Sequence, residues 1–192
     1  MSHPFFAYLS RLKYISRWGL MRNNIQENVQ EHSHMVAVFA HGLAVIRNEE
    51  FGGRVDPGKV AAAALYHDAS EIFTGDLPTP VKYQNPEIQS AYKAVEAMAS
   101  ERLLHMLPDS LREAFSPLLK EEDAEILQLV KAADKLSAYV KCLEELKSGN
   151  LEFQSAAEQT LASLQGLSMP ELDYFIEHFL PAFSLTLDEL QP

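Results

Sequence analysis

His67 and Asp68 stand side by side at the end of an apolar, alanine-rich stretch, Ala61-Ala62-Ala63-Ala64-Leu65-Tyr66. A carboxylate buried there without a partner is costly, and a divalent cation would offset the cost. Neighbouring residues on a helix point about 100° apart. The pair can therefore share one ion only at a helix end or where helices converge. Glu71 falls on the same side of a helix as both, within reach of a water beside such an ion. Asp134 sits at the edge of an apolar stripe with Leu127, Val130 and Ala138, and His32 lies in the first turn of an apolar helix. Two imidazoles and two carboxylates suit Mn²⁺, Co²⁺, Fe²⁺ or Zn²⁺. Four protein donors on an octahedral ion leave two positions, one for water and one for a phosphate oxygen. That arrangement supports Lewis-acid activation and a water-derived nucleophile.

Plainer readings stand beside this one. A helical histidine is most often a core or surface residue, and His-Asp pairs arise by chance. Asp134 could instead pair with Lys131 or Lys135. His3, His34, His41, His105 and His178 have no comparable context and read as structural or exposed, with His34 the first exception to consider as the neighbour of His32.

The elements that must position these residues are helical nearly throughout, because apolar residues recur at helical spacing and no alternating run appears. Phe5, Leu9 and Leu12 outline a first short helix before a loop at Trp18-Gly19. Asn28 with Glu31 three residues on forms a capping box, and a helix runs from there to about Glu50, ended by Gly52-Gly53. Asp56-Pro57 starts the helix that carries His67 and Asp68 and should reach about Ile72. Thr74-Gly75-Asp76-Leu77-Pro78-Thr79-Pro80 must be a shaped loop. Further helices are expected from Asn85-Pro86 to about Met106, from Pro108 to Leu119, from Glu121 to about Lys147, and from Asn150 to about Gln165. A last one starts at Pro170 and is disturbed at Pro181. Leu172, Phe175, Ile176 and Phe179 on it would serve either the core or a subunit interface. The fold class is all-α, a helical bundle of seven to nine helices in one domain over residues 1–192.

With 192 residues, 47% hydrophobic and 22% charged, the chain is long enough for a sizeable core and is not disordered or collagen-like. Its net charge of −11 argues against nucleic-acid polymers and anionic membranes. A small anionic substrate remains open to it, since one metal ion and one arginine reverse the local field. Cys142 is the one cysteine, consistent with a reducing compartment. The start, MSHPFFAYLSRLKYISRW, is too polar for a signal peptide, and no stretch suggests a membrane span. The expectation is a cytoplasmic protein.

The order His32, His67-Asp68, Asp134 on an all-helical chain resembles the HD superfamily of metal-dependent phosphohydrolases. The surrounding segments sharpen the likeness: Arg11 to Trp18, Glu27 to Ser33, Tyr66 to Glu71, Gly75 to Lys82, and Ala133 to Tyr139. Asp173-Tyr174-Phe175 and the Leu185 to Glu189 tail add to it. Across essentially the whole chain these look like the bacterial 5′-deoxynucleotidases of that superfamily. The resemblance implies release of the 5′-phosphate from deoxyribonucleoside 5′-monophosphates, selection against ribonucleotides, one divalent ion (cobalt or manganese) and a homodimer. It implies His32, His67, Asp68 and Asp134 as metal ligands. It also implies Glu71, Arg17 and Asp76 as catalytic residues. Substrate contacts would come from Arg17, Trp18, Asp68, Asp76, Leu77, Pro78, Thr79 and Asp134. Arg17 would grip phosphate oxygens, and Trp18 would wall off a 2′-hydroxyl, with core packing the plainer role for that tryptophan. The rival enzymatic readings are a triphosphohydrolase and a cyclic-nucleotide phosphodiesterase, for which cations beyond Arg17 and Lys82 or further histidine ligands would be needed. A helical binding module with a structural metal is the non-enzymatic rival.

Overall fold

In the computed structural model, which describes residues 2–82 and 84–191, every regular element among the described residues is helical. The order is α1 (Phe5–Leu9), α2 (Val29–Phe51), α3 (Pro57–Tyr66), α4 (Glu71–Thr74), α5 (Thr79–Lys82), α6 (Pro86–Leu104), α7 (Asp109–Leu119), α8 (Ala124–Lys147), α9 (Gln154–Gln165) and α10 (Pro170–His178). Short 3-10 turns cover Leu12–Tyr14, Leu151–Phe153 and Leu180–Ser184. Among the described residues no helix is long and apolar enough to cross a membrane.

The helix starts follow from their capping residues. Asn28 accepts from Glu31 N while Glu31 reaches back to Asn28 N, so two otherwise unpaired donors at the head of α2 are satisfied reciprocally. Asp56, Asn85 and Asp123 cap α3, α6 and α8 in the same sense. Gly52 ends α2 in the left-handed region at φ 71°, which a glycine adopts without penalty.

α2 and α8 are the two long helices, of 23 and 24 residues, and the main core forms where they meet α3 and α10. Val36, Phe39 and Leu43 of α2, Leu129 and Leu136 of α8 and Leu172 of α10 are buried there. The alanines of α3 let it pack most extensively along α2. Leu172 and Phe175 serve this core, whereas Phe179 is half exposed at 48%. A second cluster, Phe5, Ala69, Leu103, Leu104 and Leu107, lies behind the turn that follows α3. A third joins Cys142, Phe153 and Ala157 to Trp18 and Met21.

One boundary departs from the sequence expectation. The helix starting at Asp56-Pro57 does not continue to Ile72 but stops at Tyr66. From His67 onward the amides bond three residues back instead of four: His67 N to Ala64 O, Ala69 N to Tyr66 O and Glu71 N to Asp68 O. The α-helix therefore ends where the His67-Asp68 pair stands, one of the two settings in which adjacent residues can share an ion. Val60, Ala63 and Ala64 of α3 pack in the main core, whereas Ile72 and Phe73 of α4 pack in the second cluster. A smaller departure follows: Thr79 and Pro80 open the short α5 rather than ending the loop.

Candidate metal centre and active site

Three chain regions meet at one point. His32 comes from the first turn of α2, His67 and Asp68 from the turn after α3, and Asp134 from the middle of α8. One donor atom each from His32, His67 and Asp68 lies within 4.8 Å of the others. Asp134 Oδ1 is 3.0 Å from His32 Nε2 and 4.0 Å from His67 Nε2. Asp68 Oδ2 is 3.2 Å from His67 Nε2 and 3.7 Å from His32 Nε2. Asp134 thus faces the two imidazoles. Lys135, a partner the sequence allowed it, donates to Ser163 Oγ instead.

Both rings are oriented through their far nitrogen. His67 Nδ1 lies 2.7 Å from Ala64 O. A carbonyl can only accept, so Nδ1 carries a proton and Nε2 is the nitrogen turned toward the carboxylates. Ser137 Oγ lies 3.2 Å from His32 Nδ1 and supplies the equivalent partner there. Ser137 is one helical turn from Asp134 on α8 and almost fully buried. Such outer contacts fix the tautomer that a metal ligand needs. Ser137 was not among the residues expected from sequence; its signal was a serine on an apolar stripe, three residues after a candidate ligand.

The cluster is built for a cation. His67 Nε2 is buried and, despite its nearness to Asp68, makes no well-aligned hydrogen bond. Burial pulls the His67 imidazole down, but Asp68 and Asp134 outweigh it and raise its pKa to about 9. Burial would raise the Asp68 carboxyl, yet His67, His32 and Arg17 hold it well below the usual carboxylate range. Asp134 is lowered against its own burial by His32 and His67. Two imidazole Nε2 atoms facing two carboxylates match the mixed nitrogen and oxygen donor set of a divalent transition ion, which would take the place of the protons they share in its absence.

Around this cluster stand the other expected residues. Glu71 opens α4 and is 4% exposed, with Oε2 buried and unpaired. Burial first, then Asp68 and Asp76, push its pKa to about 9 in the metal-free protein, and a cation in the cluster acts in the opposite direction. Asp76 is half-buried, and burial raises it despite Arg17. Leu77 and Pro78 line the same loop and are partly buried. The side chain of Thr79 lies outside the described residues.

Arg17 is 12% exposed, with NH1 3.6 Å from Asp68 Oδ2 and Nε 3.1 Å from Glu27 Oε2. Burial alone would lower its pKa, but Asp68, Asp134 and Glu27 raise it further. Trp18 is half-buried, its ring 5.3 Å from Phe153. It therefore combines the packing role and a position next to Arg17. Lys82, the other cation near the loop, is held 2.9 Å from Glu96 and lies over the Tyr92 ring. An open depression of about 660 Å³ has His67, Ser70, Glu96 and Ser100 in its wall.

The sequence model of the 5′-deoxynucleotidase YfbR-like family matches residues 4–183. The chain is 54% identical over 188 residues to the 5′-deoxynucleotidase YfbR of Shigella boydii, covering 97% of this chain and 94% of that protein. The Escherichia coli proteins of that name match to the same extent. Among solved structures, an HD-domain phosphohydrolase from Listeria innocua superposes with a TM-score of 0.81 at 27% identity, covering 94% of this chain and 88% of that one. The cyanophage S-2L HD phosphohydrolase bound to dA and one catalytic Zn²⁺ ion shares the fold, with a TM-score of 0.66 at 18% identity over 94% of this chain and 96% of that one.

Proposed function

The chain belongs to the YfbR-like family of 5′-deoxynucleotidases, and we propose from that premise that it releases the 5′-phosphate of deoxyribonucleoside 5′-monophosphates in preference to ribonucleotides. It is an enzyme, a phosphoric monoester hydrolase acting on a deoxynucleotide. The observation that carries the finer reading is the convergence of His32, His67, Asp68 and Asp134 with a buried guanidinium beside them. We read residues 1–192 as one HD-type domain, cytoplasmic and homodimeric, with Co²⁺ or Mn²⁺ as its ion.

His32, His67, Asp68 and Asp134 would hold the ion through Nε2 and carboxylate oxygens. When bound, it supplies Lewis-acid polarisation of the phosphate and lowers the pKa of a water. The residues of the chain do the rest. Arg17 has Nε engaged by Glu27, so its terminal nitrogens form the edge that grips two phosphate oxygens. Glu71 orients the attacking water and takes its proton. Asp76 faces the sugar and the leaving 5′-oxygen, with Leu77, Pro78 and Thr79 lining the substrate on the same loop. Prolines in that segment hold it at low entropic cost on binding. Asp68 and Asp134 border the phosphate as well as the ion. The indole N–H of Trp18 is already bonded to Glu27, which holds the ring as a wall against the sugar where an added 2′-hydroxyl would clash. A monophosphate suits this cation supply, since Lys82 is committed to Glu96.

The test separates binding from turnover. Glu71→Ala should keep stoichiometric metal, measured by elemental analysis, and lose most phosphate release from dAMP. His67→Ala should lose the metal itself. Near-normal turnover in Glu71→Ala would remove Glu71 from the reaction.

A further inference from the structure

Arg17 and Trp18 are neighbours in the chain, and neighbours in extended backbone point to opposite sides. Here both end on one atom. Glu27 Oε2 accepts from Arg17 Nε at 3.1 Å and from Trp18 Nε1 at 2.9 Å. The convergence requires an unusual backbone. Trp18 has φ 59°, in the left-handed region, where an L-residue costs on the order of 1 kcal/mol. Strain of this kind persists only where the surroundings over-determine it.

Several contacts of the loop supply that constraint. Arg17 N donates to Glu27 O at 3.0 Å and Val29 N to Ile15 O at 3.0 Å, which pairs the two arms of the loop around the Ser16–Asn28 bridge. The Trp18 ring leans on Phe153. Asn23 Nδ2 donates to Trp18 O and Met21 O, closing the loop tip. Within this frame, Glu27 is the side chain that contacts both reading groups. Its carboxylate neutralises the guanidinium at Nε and directs the terminal nitrogens toward Asp68. The same oxygen consumes the single donor of the indole.

We propose that Glu27 is the positioning residue that sets the phosphate-gripping Arg17 and the sugar-facing Trp18 in one fixed register, so that recognition of phosphate and rejection of a 2′-hydroxyl are coupled through one carboxylate oxygen. This rests on the roles proposed for Arg17 and Trp18 above. Glu27 acts through the two residues it holds.

The experiment uses the metal-loaded full chain and the variants Glu27→Ala, Glu27→Gln, Arg17→Ala and Trp18→Ala. Trp18 is the only tryptophan, so intrinsic fluorescence reads its position directly. Glu27→Ala should shift the emission to the red as the indole is released toward water. It should lower kcat/KM for dAMP by about tenfold or more, chiefly through KM, because the guanidinium is no longer held in place. The preference for dAMP over AMP should fall by several-fold. Glu27→Gln keeps an acceptor of the same shape, so its emission should stay near wild type and its discrimination should lie nearer wild type than that of Glu27→Ala. Emission, KM and discrimination all unchanged in Glu27→Ala would overturn the proposal. So would a Glu27→Gln variant that folds yet is as impaired as Glu27→Ala in all three. If Arg17→Ala and Trp18→Ala leave KM and discrimination untouched, the roles of that pair fall and the role of Glu27 with them. If those two variants move both readings and Glu27→Ala moves neither, the role of Glu27 alone falls.

Discussion

Glu145 offers the sharpest test of how the fold holds the loop of residues 16–28 against the site. Its side chain is 0% exposed and lies on α8 beside Lys141, itself 3% exposed. Glu145 accepts from Asn24 N and Ile25 N at 2.9 Å each, from Asn150 Nδ2 at 2.8 Å, and from the Lys141 ammonium at 2.5 Å. Lys141 also donates to Ile25 O. Burial would raise the Glu145 carboxyl, but Lys141, Asn150 and the two loop amides bring its pKa down to about 2. Replacing Glu145 by alanine removes one acceptor from four donors and leaves a buried ammonium without its counter-charge. Breaking a buried pair in this way costs roughly 3–5 kcal/mol. The expected loss for Glu145→Ala is about 3 kcal/mol, a fall in Tm of roughly 6–12 °C for a chain of this size. The double variant Glu145→Ala/Lys141→Met removes the stranded charge and should cost less than the sum of the two single variants. The pH dependence has a definite sign. A folded-state pKa lowered below the unfolded value contributes stability above about pH 4.5 and loses it as pH falls toward 2. Glu145→Gln should therefore flatten that acid limb. Urea midpoints of wild type, Glu145→Ala, Lys141→Met, the double variant and Glu145→Gln between pH 2 and 7 are the assay. A loss below about 1 kcal/mol in Glu145→Ala, with an unchanged acid limb in Glu145→Gln, would refute the reasoning.

Three further outcomes follow from the geometry. Ser137→Ala removes the partner of His32 Nδ1 and should weaken metal binding about tenfold or more, measured by competition with a chelating dye, while the fold persists. Trp18→Ala should admit ribonucleotides, read as a falling ratio of dAMP to AMP turnover; an unchanged ratio would move the sugar selection elsewhere. Phe5, fully buried in the cluster behind the His67-Asp68 turn, should cost about 3–5 kcal/mol when replaced by alanine, measured by denaturant unfolding.

Much of this architecture was legible before the structure. Asn28, Asp56 and Asn85 mark helix starts because each supplies a short acceptor to exposed amides, a signal local to a few residues, whereas α8 starts from an Asp123 cap rather than at the expected Glu121. The convergence of His32, His67, Asp68 and Asp134 was legible from residue type and apolar context. What escaped was non-local or fine-grained. The break after Tyr66 is a change in backbone hydrogen bonding at a point with no proline or glycine to mark it. Ser137 becomes an orienting partner only because α2 and α8 bring it to His32. Glu27 and Glu145 are two acidic residues among 27, and nothing in their spacing says that loop amides, an indole and a guanidinium will close around them.

The most direct test of the central claim is phosphate release by metal-stripped protein from dAMP, AMP and dATP, with and without added Co²⁺, Mn²⁺, Mg²⁺ or Zn²⁺. The account predicts silence without metal, and restored release that is strong from dAMP and weak from AMP and dATP. Release that survives complete chelation, or a metal-loaded protein that acts on dATP alone, would contradict it.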